Sequence, residues 1–266
     1  MSFKAVFLIA FVLVWPVLPA RADTEFHVSY AAYSHFFHIM NLDASFALSP
    51  ARYHLQINYH TTGFIGALFQ GHQQTSVDGV WVSNRPQPLW FADAGYWRGQ
   101  WRRVLIDYDR GQPIVRTLAP ENDTERDPIP PQMERNTVDT LSPMLLLMRR
   151  VAETGRCETS AQTFDGRRVA EITARTVGME NLEPTRRSTF SGPALRCDFE
   201  GRQVAGFVRD VDRNELMRPQ RGSAWFANLI HGAPPVPVRI SFETRWFGEA
   251  TMYIAAEGPG FAGPRR

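Results

Sequence analysis

The sequence predicts a mainly β fold: one large antiparallel sheet, curved into an open β-barrel or β-spiral, wrapped around a single enclosed α-helix. Three observations predict it. Apolar residues recur mostly at every second position, Asp-Gly pairs punctuate these runs, and only Ser142 to Gly155 carries helix start and stop signals around an apolar interior.

The alternation is clearest in two segments. Tyr53, Leu55, Ile57 and Tyr59 alternate with His54, Gln56, Asn58 and His60. Val236, Val238, Ile240 and Phe242 alternate with Pro237, Arg239, Ser241 and Glu243, where Pro237 suits an edge or a strand start. Further strands are predicted near 25–33, 35–41, 67–77, 101–109, 157–164, 168–177, 185–190, 196–208 and 249–255, about a dozen in all. Asp78-Gly79 and Asp165-Gly166 each separate two such runs. Asp-Gly readily takes the positive φ angles of a type I′ turn, so both predict hairpins.

In the helix, Ser142 reads as the N-cap, Pro143 as the first helical residue and Gly155 as the C-terminal cap, with Asp139 as an alternative cap one turn earlier. Met144, Leu145, Met148, Val151 and Ala152 predict the main apolar stripe. Leu146 and Leu147 make the helix apolar almost all round, and such a helix must be enclosed. Ala119 to Asn136, rich in Pro, Asp and Glu, predicts a long surface crossing. An open barrel of this kind either holds a ligand or fills its interior with side chains.

The N-terminus predicts export. A positive start ending at Lys4, an apolar run from Ala5 to Trp15, breaks at Pro16 and Pro19, and Ala20-Arg21-Ala22 before Asp23 together describe a cleavable signal peptide over 1–22. The alternative, a retained anchor, is opposed by the shortness of the apolar run, since a span needs about 20 residues. A single periplasmic β-rich domain is then expected over 23–256, followed by a flexible Gly/Pro-rich tail at 257–266.

Cleavage would change the charge balance. The whole chain has 29 Lys+Arg against 27 Asp+Glu, and loss of Lys4 and Arg21 leaves 27 of each sign. A neutral chain gives no case for nucleic-acid binding. Lys4 is the only lysine, which excludes a Schiff-base lysine and a lysine phosphate grip in the processed chain. In an oxidising compartment Cys157 and Cys197 predict a disulfide; a free or metal-binding pair is the rival reading, opposed by their separation and the lack of nearby His.

Candidate chemistry is sparse. Six of the seven histidines fall between residues 27 and 72, yet His35 and His38 face opposite sides of a strand. His54 and His60 would lie ~20 Å apart along another, so surface histidines are favoured over a metal site. The sequence contains no Gly-x-Ser-x-Gly elbow, phosphate loop or metalloprotease His motif. Asp139 and Asp165 are read as a helix cap and a turn residue before they are read as acids or bases. No cofactor and no metal are expected. The aromatic and cationic run Tyr96-Trp97-Arg98-Gly99-Gln100-Trp101-Arg102-Arg103 is the first candidate for a contact site, because Trp and Arg grip anionic headgroups or protein partners. The rival reading is a strand edge with core tryptophans and solvated arginines.

Several motifs follow one another in order: Asp139-Thr-Leu-Ser142, Phe164-Asp-Gly-Arg-Arg168, Ser191-Gly-Pro-Ala194 before Cys197, and Val204-Ala-Gly-Phe207. This order resembles the exported proteobacterial family catalogued as domain of unknown function 3108, over about residues 25 to 256. The resemblance implies a periplasmic, β-rich envelope protein without an established reaction. The architecture is more loosely similar to β-spiral envelope-integrity proteins and to half-barrel lipoprotein carriers, which enclose a helix and bind acyl chains. Three functions are therefore weighed. The first is a non-enzymatic envelope protein acting through a partner or an apolar ligand. The second is a lipid or lipoprotein carrier with a cavity lined by Leu145 and Met148 on the helix. The third is a hydrolase of envelope polymers, which needs converging carboxylates.

Overall fold

The computed structural model describes residues 24–63, 66, 70–97, 99–121, 125–229, 232–244 and 248–259; of these, the side chains of Trp97 and of 257–259 are not described. The segment read as a signal peptide lies outside the described residues, as does 260–266 of the expected tail.

Thirteen antiparallel strands form one sheet. They are β1 (Phe26–Ser34), β2 (Phe37–Leu48), β3 (Arg52–Thr61), β4 (Gly71–Val82), β5 (Arg85–Trp97), β6 (Gln100–Asp109) and β7 (Gln112–Ala119), then β8 (Thr159–Phe164), β9 (Val169–Leu182), β10 (Gly192–Ala205), β11 (Gln220–Ala227), β12 (Val236–Thr244) and β13 (Gly248–Pro259). Three helices are described: α1 (Pro131–Glu134), α2 (Ser142–Thr154) and α3 (Arg213–Leu216). The strand order is β7-β6-β5-β4-β3-β2-β1-β13-β12-β11-β10-β9-β8, so β1 and β13 meet in the middle and β7 and β8 are the edges. The sheet is large, curved and not closed.

The meander puts the strand connections at two ends. At the bottom lie the turns β2–β3, β4–β5 and β6–β7; at the top lie β1–β2, β5–β6, β8–β9 and the return from β10 to β11. Inward residues follow the period of two: Phe26, Val28, Tyr30 and Ala32 of β1, Tyr53 and Leu55 of β3, Val104 and Ile106 of β6, and Met252 and Ile254 of β13 share one core with α2.

The segment from β7 to α2 does more than cross the surface. Asp127 N–H donates to Phe207 O (2.8 Å) and Arg209 N–H to Glu125 O (3.1 Å). Val138 then runs parallel to β8, donating to Gln162 O and accepting from Phe164 N–H, both at 2.8 Å. These bridges pair part of an edge that would otherwise present bare N–H and C=O groups.

Several expectations are corrected. Asp78-Gly79 lies inside β4, and the β4–β5 turn is Ser83-Asn84, both at positive φ. A Cβ on Gly79 would sit 2.1 Å from Tyr53 Cζ, so this glycine makes room for the Tyr53 ring. Asp165-Gly166 is a hairpin turn as expected, but only Gly166 takes positive φ, and Asp165 Oδ1 accepts the N–H groups of Arg167 and Arg168. Residues 185–190 form no strand. They belong to a loop in which Thr189 N–H donates to Ile254 O (3.0 Å) and Arg187 lies 4.5 Å over Tyr33. Pro237 stands at the start of β12, which is an interior strand. β13 continues to Pro259, three residues into the stretch expected as a tail.

Candidate functional site

The helix end of the barrel is built first. Asp139 Oδ1 accepts the N–H groups of Leu141 (2.7 Å) and Ser142 (3.0 Å), occupying donors that a helix start leaves without partners. Ser142 is itself the first helical residue. Its hydroxyl donates to Asp139 Oδ2 (2.5 Å), which leaves it to accept from the Tyr53 hydroxyl at 3.0 Å. Gly155 closes the helix in the left-handed conformation, its N–H donating to Val151 O. Asp139 is 0% exposed, and burial raises its carboxyl above the usual range against the pull of its hydrogen bonds. Burial also raises the Tyr53 and Tyr108 hydroxyls, and Asp139 adds to both. The Tyr108 hydroxyl is buried with no partner among the described residues.

Leu145 and Met148, the expected cavity lining, are core residues. Leu145 is 0% exposed, and both join the cluster that contains Phe46, Leu55, Val77 and Phe91. Burying such side chains stabilises by roughly 1.5–3 kcal/mol each. Leu146 and Leu147 are buried too, whereas Ala152, expected in the stripe, is exposed. A cleft of about 1080 Å³ does border the helix, but on its other side, among Leu146, Arg150, Asn84, Ser160 and Gln162.

Cys157 and Cys197 form the expected disulfide, with Cα atoms 5.8 Å apart. It ties the chain leaving α2 to β10 across 40 residues. Closing such a loop contributes roughly 4 kcal/mol in the chain-entropy account.

The Trp/Arg run forms the top of the β5–β6 hairpin. Arg98 and the Trp97 side chain lie outside the described residues. Trp101 and Arg102 point to opposite faces, as neighbours on a strand must. Trp101 is outside, 67% exposed, and meets Tyr96 (5.7 Å) and His72 (5.2 Å) edge to face. It borders a mainly apolar depression of about 440 Å³ that also touches Ala92, Ala94, Leu105 and Ala119. Arg102 pairs with Gly95 on the inner face, and its Nε is buried with no partner among the described residues. The contact patch read from the sequence is thus half a patch, aromatic on the outside and cationic within.

A polar network lies nearby on the inner face. Tyr59 donates to Gln73 Oε1, and the Gln73 amide and the Thr75 hydroxyl both donate to Asp93 Oδ1. Burial, with Asp93 adding to it, pushes the Tyr59 hydroxyl up to about 12. Elsewhere the histidines serve separate contacts, His38 with Asn41 (2.7 Å) and His54 with Asp78 (3.2 Å). Among the described residues no three His, Cys, Asp or Glu side chains gather as metal ligands.

One constellation was not read from the sequence. On the outer face Trp225 lies between the guanidiniums of Arg239 (4.7 Å) and Arg196 (5.3 Å), and its indole N–H donates to Glu180 (2.6 Å). That bond and the one from Arg196 hold the Glu180 carboxyl below its usual range. The stack follows from register, since Arg196 and Arg239 both pair with Trp225 across the ladder. It was invisible because β11 was not predicted. Trp225 is itself buried, so the stack braces the wall of a cleft of about 530 Å³.

Comparisons with known proteins agree with this architecture. A crystal structure described as a β-barrel-like protein of domain of unknown function DUF1849 from Brucella abortus is similar at a TM-score of 0.54 and 9% identity, over 89% of this chain and 98% of that one. At that identity the likeness is one of fold. No curated protein matches the chain. The family model described as protein of unknown function DUF3108 matches residues 25–255, nearly the whole of the described sheet, and the chain belongs to that family.

Proposed function

We propose that this protein is a non-catalytic component of the cell envelope, exported to the periplasm, that supports envelope integrity by holding a protein partner against the outer face of its sheet. The observation that carries this reading is Trp101. It is a large aromatic side chain held by Tyr96 and His72, two-thirds exposed, beside an apolar depression and flanked by Arg103. Rigid exposed aromatics next to arginines are the residue types that dominate protein interfaces.

Other observations support the reading. The segment 1–22 has the composition of an export signal, and a disulfide suits an oxidising compartment. Asp139 and Asp165, weighed as an acid or base, serve as the acceptors of a helix start and of a turn. The packing of Leu145 and Met148 counts against an acyl carrier whose pocket lies between helix and sheet.

The test is genetic. Deletion of the gene is expected to sensitise cells to detergent and to cell-wall antibiotics. Wild-type protein should restore resistance, and Trp101→Ala should not, although it accumulates to the same level with the same Tm. Unchanged sensitivity on deletion, or full rescue by Trp101→Ala, overturns the proposal.

A further inference from the structure

The segment that leads into α2 covers only part of edge strand β8. Val138 runs parallel to it, donating to Gln162 O and accepting from Phe164 N–H, both at 2.8 Å. In an antiparallel pair, the N–H and C=O of one residue point to the same side, and this side alternates along the strand. Because Gln162 and Phe164 face away from β9, so does Ser160. The N–H and C=O of Ser160 and the N–H of Gln162 therefore lie on the open edge. A strand continued back from Val138 would pair with them, but the chain turns off. Asn136 takes a φ of 60°, and its N–H donates to Gly111 O (3.0 Å) in the β6–β7 turn. Among the described residues, no group of the chain bonds to these three edge groups.

This bare stretch lines the cleft of about 1080 Å³, and Arg85 at the start of β5 and Arg150 of α2 line the same cleft. Both arginines are exposed, and neither has an ion pair among the described residues. The acidic lining residues are engaged. Glu158 accepts Arg156 Nε (3.2 Å) and the Thr176 hydroxyl (3.0 Å), and Glu171 accepts Arg202 Nη2 (2.9 Å). The cleft thus joins an unpaired length of backbone to two unpaired cations.

We propose that the β8 edge, with Arg85 and Arg150, is a docking site for an extended acidic segment of a partner protein. The segment would add as a strand where Val138 stops, its backbone meeting Ser160 and Gln162 and its carboxylates meeting the two guanidiniums. Charge disfavours two other occupants. The chain's own C-terminus ends in Arg265-Arg266, and a second copy paired edge to edge would bring another Arg85 and Arg150. This surface is separate from the Trp101 patch, which stands at the other end of the barrel.

The experiment titrates the purified, signal-processed protein with a fluorescent pool of short peptides that alternate Val or Thr with Asp or Glu. The control pool carries Lys in place of the acids, and a third pool has the acidic sequences with N-methylated backbone amides. Saturable binding of the acidic pool is expected, about tenfold tighter than either control. It should slow hydrogen exchange at the Ser160 and Gln162 amides. Arg150→Glu should weaken acidic-pool binding about tenfold, whereas Arg221→Gln, on the outer face, should leave it unchanged. Ser160→Pro should abolish binding without removing a bond to β9, because its N–H faces the open edge. Absence of saturable binding overturns the proposal, as does binding indifferent to N-methylation or to Arg150→Glu. A dimer that dissociates in Ser160→Pro would also overturn it, by assigning the edge to a second copy. Should Ser160→Pro fail to fold, the exposed Arg150→Glu and the N-methylated pool decide.

Discussion

The two ends of this barrel solve the same problem in opposite ways. At the bottom, helix α2 fills the interior with Leu145, Leu147, Met148 and Val151, and its polar start is absorbed by Asp139, Ser142 and Tyr53. At the top no helix enters among the described residues. The inner face there carries Gln73, Thr75, Asp93 and Arg102. Among the described residues each end leaves buried polar atoms unmatched, Trp81 Nε1 and the Tyr108 hydroxyl at the bottom and Arg102 Nε at the top. The difference separates an end filled by an apolar helix from an end filled by polar side chains.

The largest effect should come from the sealed end. Leu145→Ala removes a fully buried side chain and is expected to cost about 2–5 kcal/mol in denaturant unfolding, while Arg103→Ala on the outer face stays within about 0.5 kcal/mol. Equal costs would mean that the helix is not enclosed as described.

Asp139 sharpens the contrast through pH. Its folded pKa is raised, so the folded state holds a proton more tightly than the unfolded state. The associated stability is fully present below the unfolded value of about 3.9 and is lost as pH rises through the folded pKa. Asp139→Asn should therefore gain on wild type as pH rises from about 4, and Asp139→Ala, which strands two N–H groups and a hydroxyl, should cost about 2–4 kcal/mol throughout. Parallel pH profiles for wild type and Asp139→Asn would show that this carboxyl does not titrate differently on folding.

The smallest effect concerns the Tyr108 hydroxyl, buried at the bottom with no partner among the described residues. Tyr108→Phe should be neutral or stabilise by up to about 1 kcal/mol, read as an unchanged or higher midpoint of denaturation. A loss above 1 kcal/mol would reveal a partner for that hydroxyl.

Much of the sealed end was legible in the sequence, since its signals are local. Ser142-Pro143, Gly155 and the apolar run between them specify the helix, and the strands with clean alternation were found. The strands that were missed carry prolines or glycine. Pro86 and Pro88 fall in the part of β5 that lies beyond its pairing with β6, which begins at Trp90, so no ladder bond is lost there. Pro113 lies on the edge strand β7, and Gly222 sits under the Phe199 ring in β11.

The top end was legible only by halves. Period-two alternation already implies that Trp101 and Arg102 face opposite sides, so the aromatic patch could have been separated from the inward arginine. Arg126 and Arg167 follow no period. One lies in an irregular crossing and one in a turn, and only the curvature of the open sheet lays that turn against β6. The approach of one sheet edge to the other is a property of the fold, not of any window of residues.

The account rests on the bottom being permanently sealed, and native-state hydrogen exchange tests this most directly. The amides of Leu145 to Val151 are predicted to exchange only through global unfolding, with an opening free energy equal to that from denaturant titration, while residues 207–217 at the top open at lower cost. If the helix amides exchange well below the global value, the helix lifts out of the barrel in the native state, and the end described here as a plug is instead a lid over a ligand site.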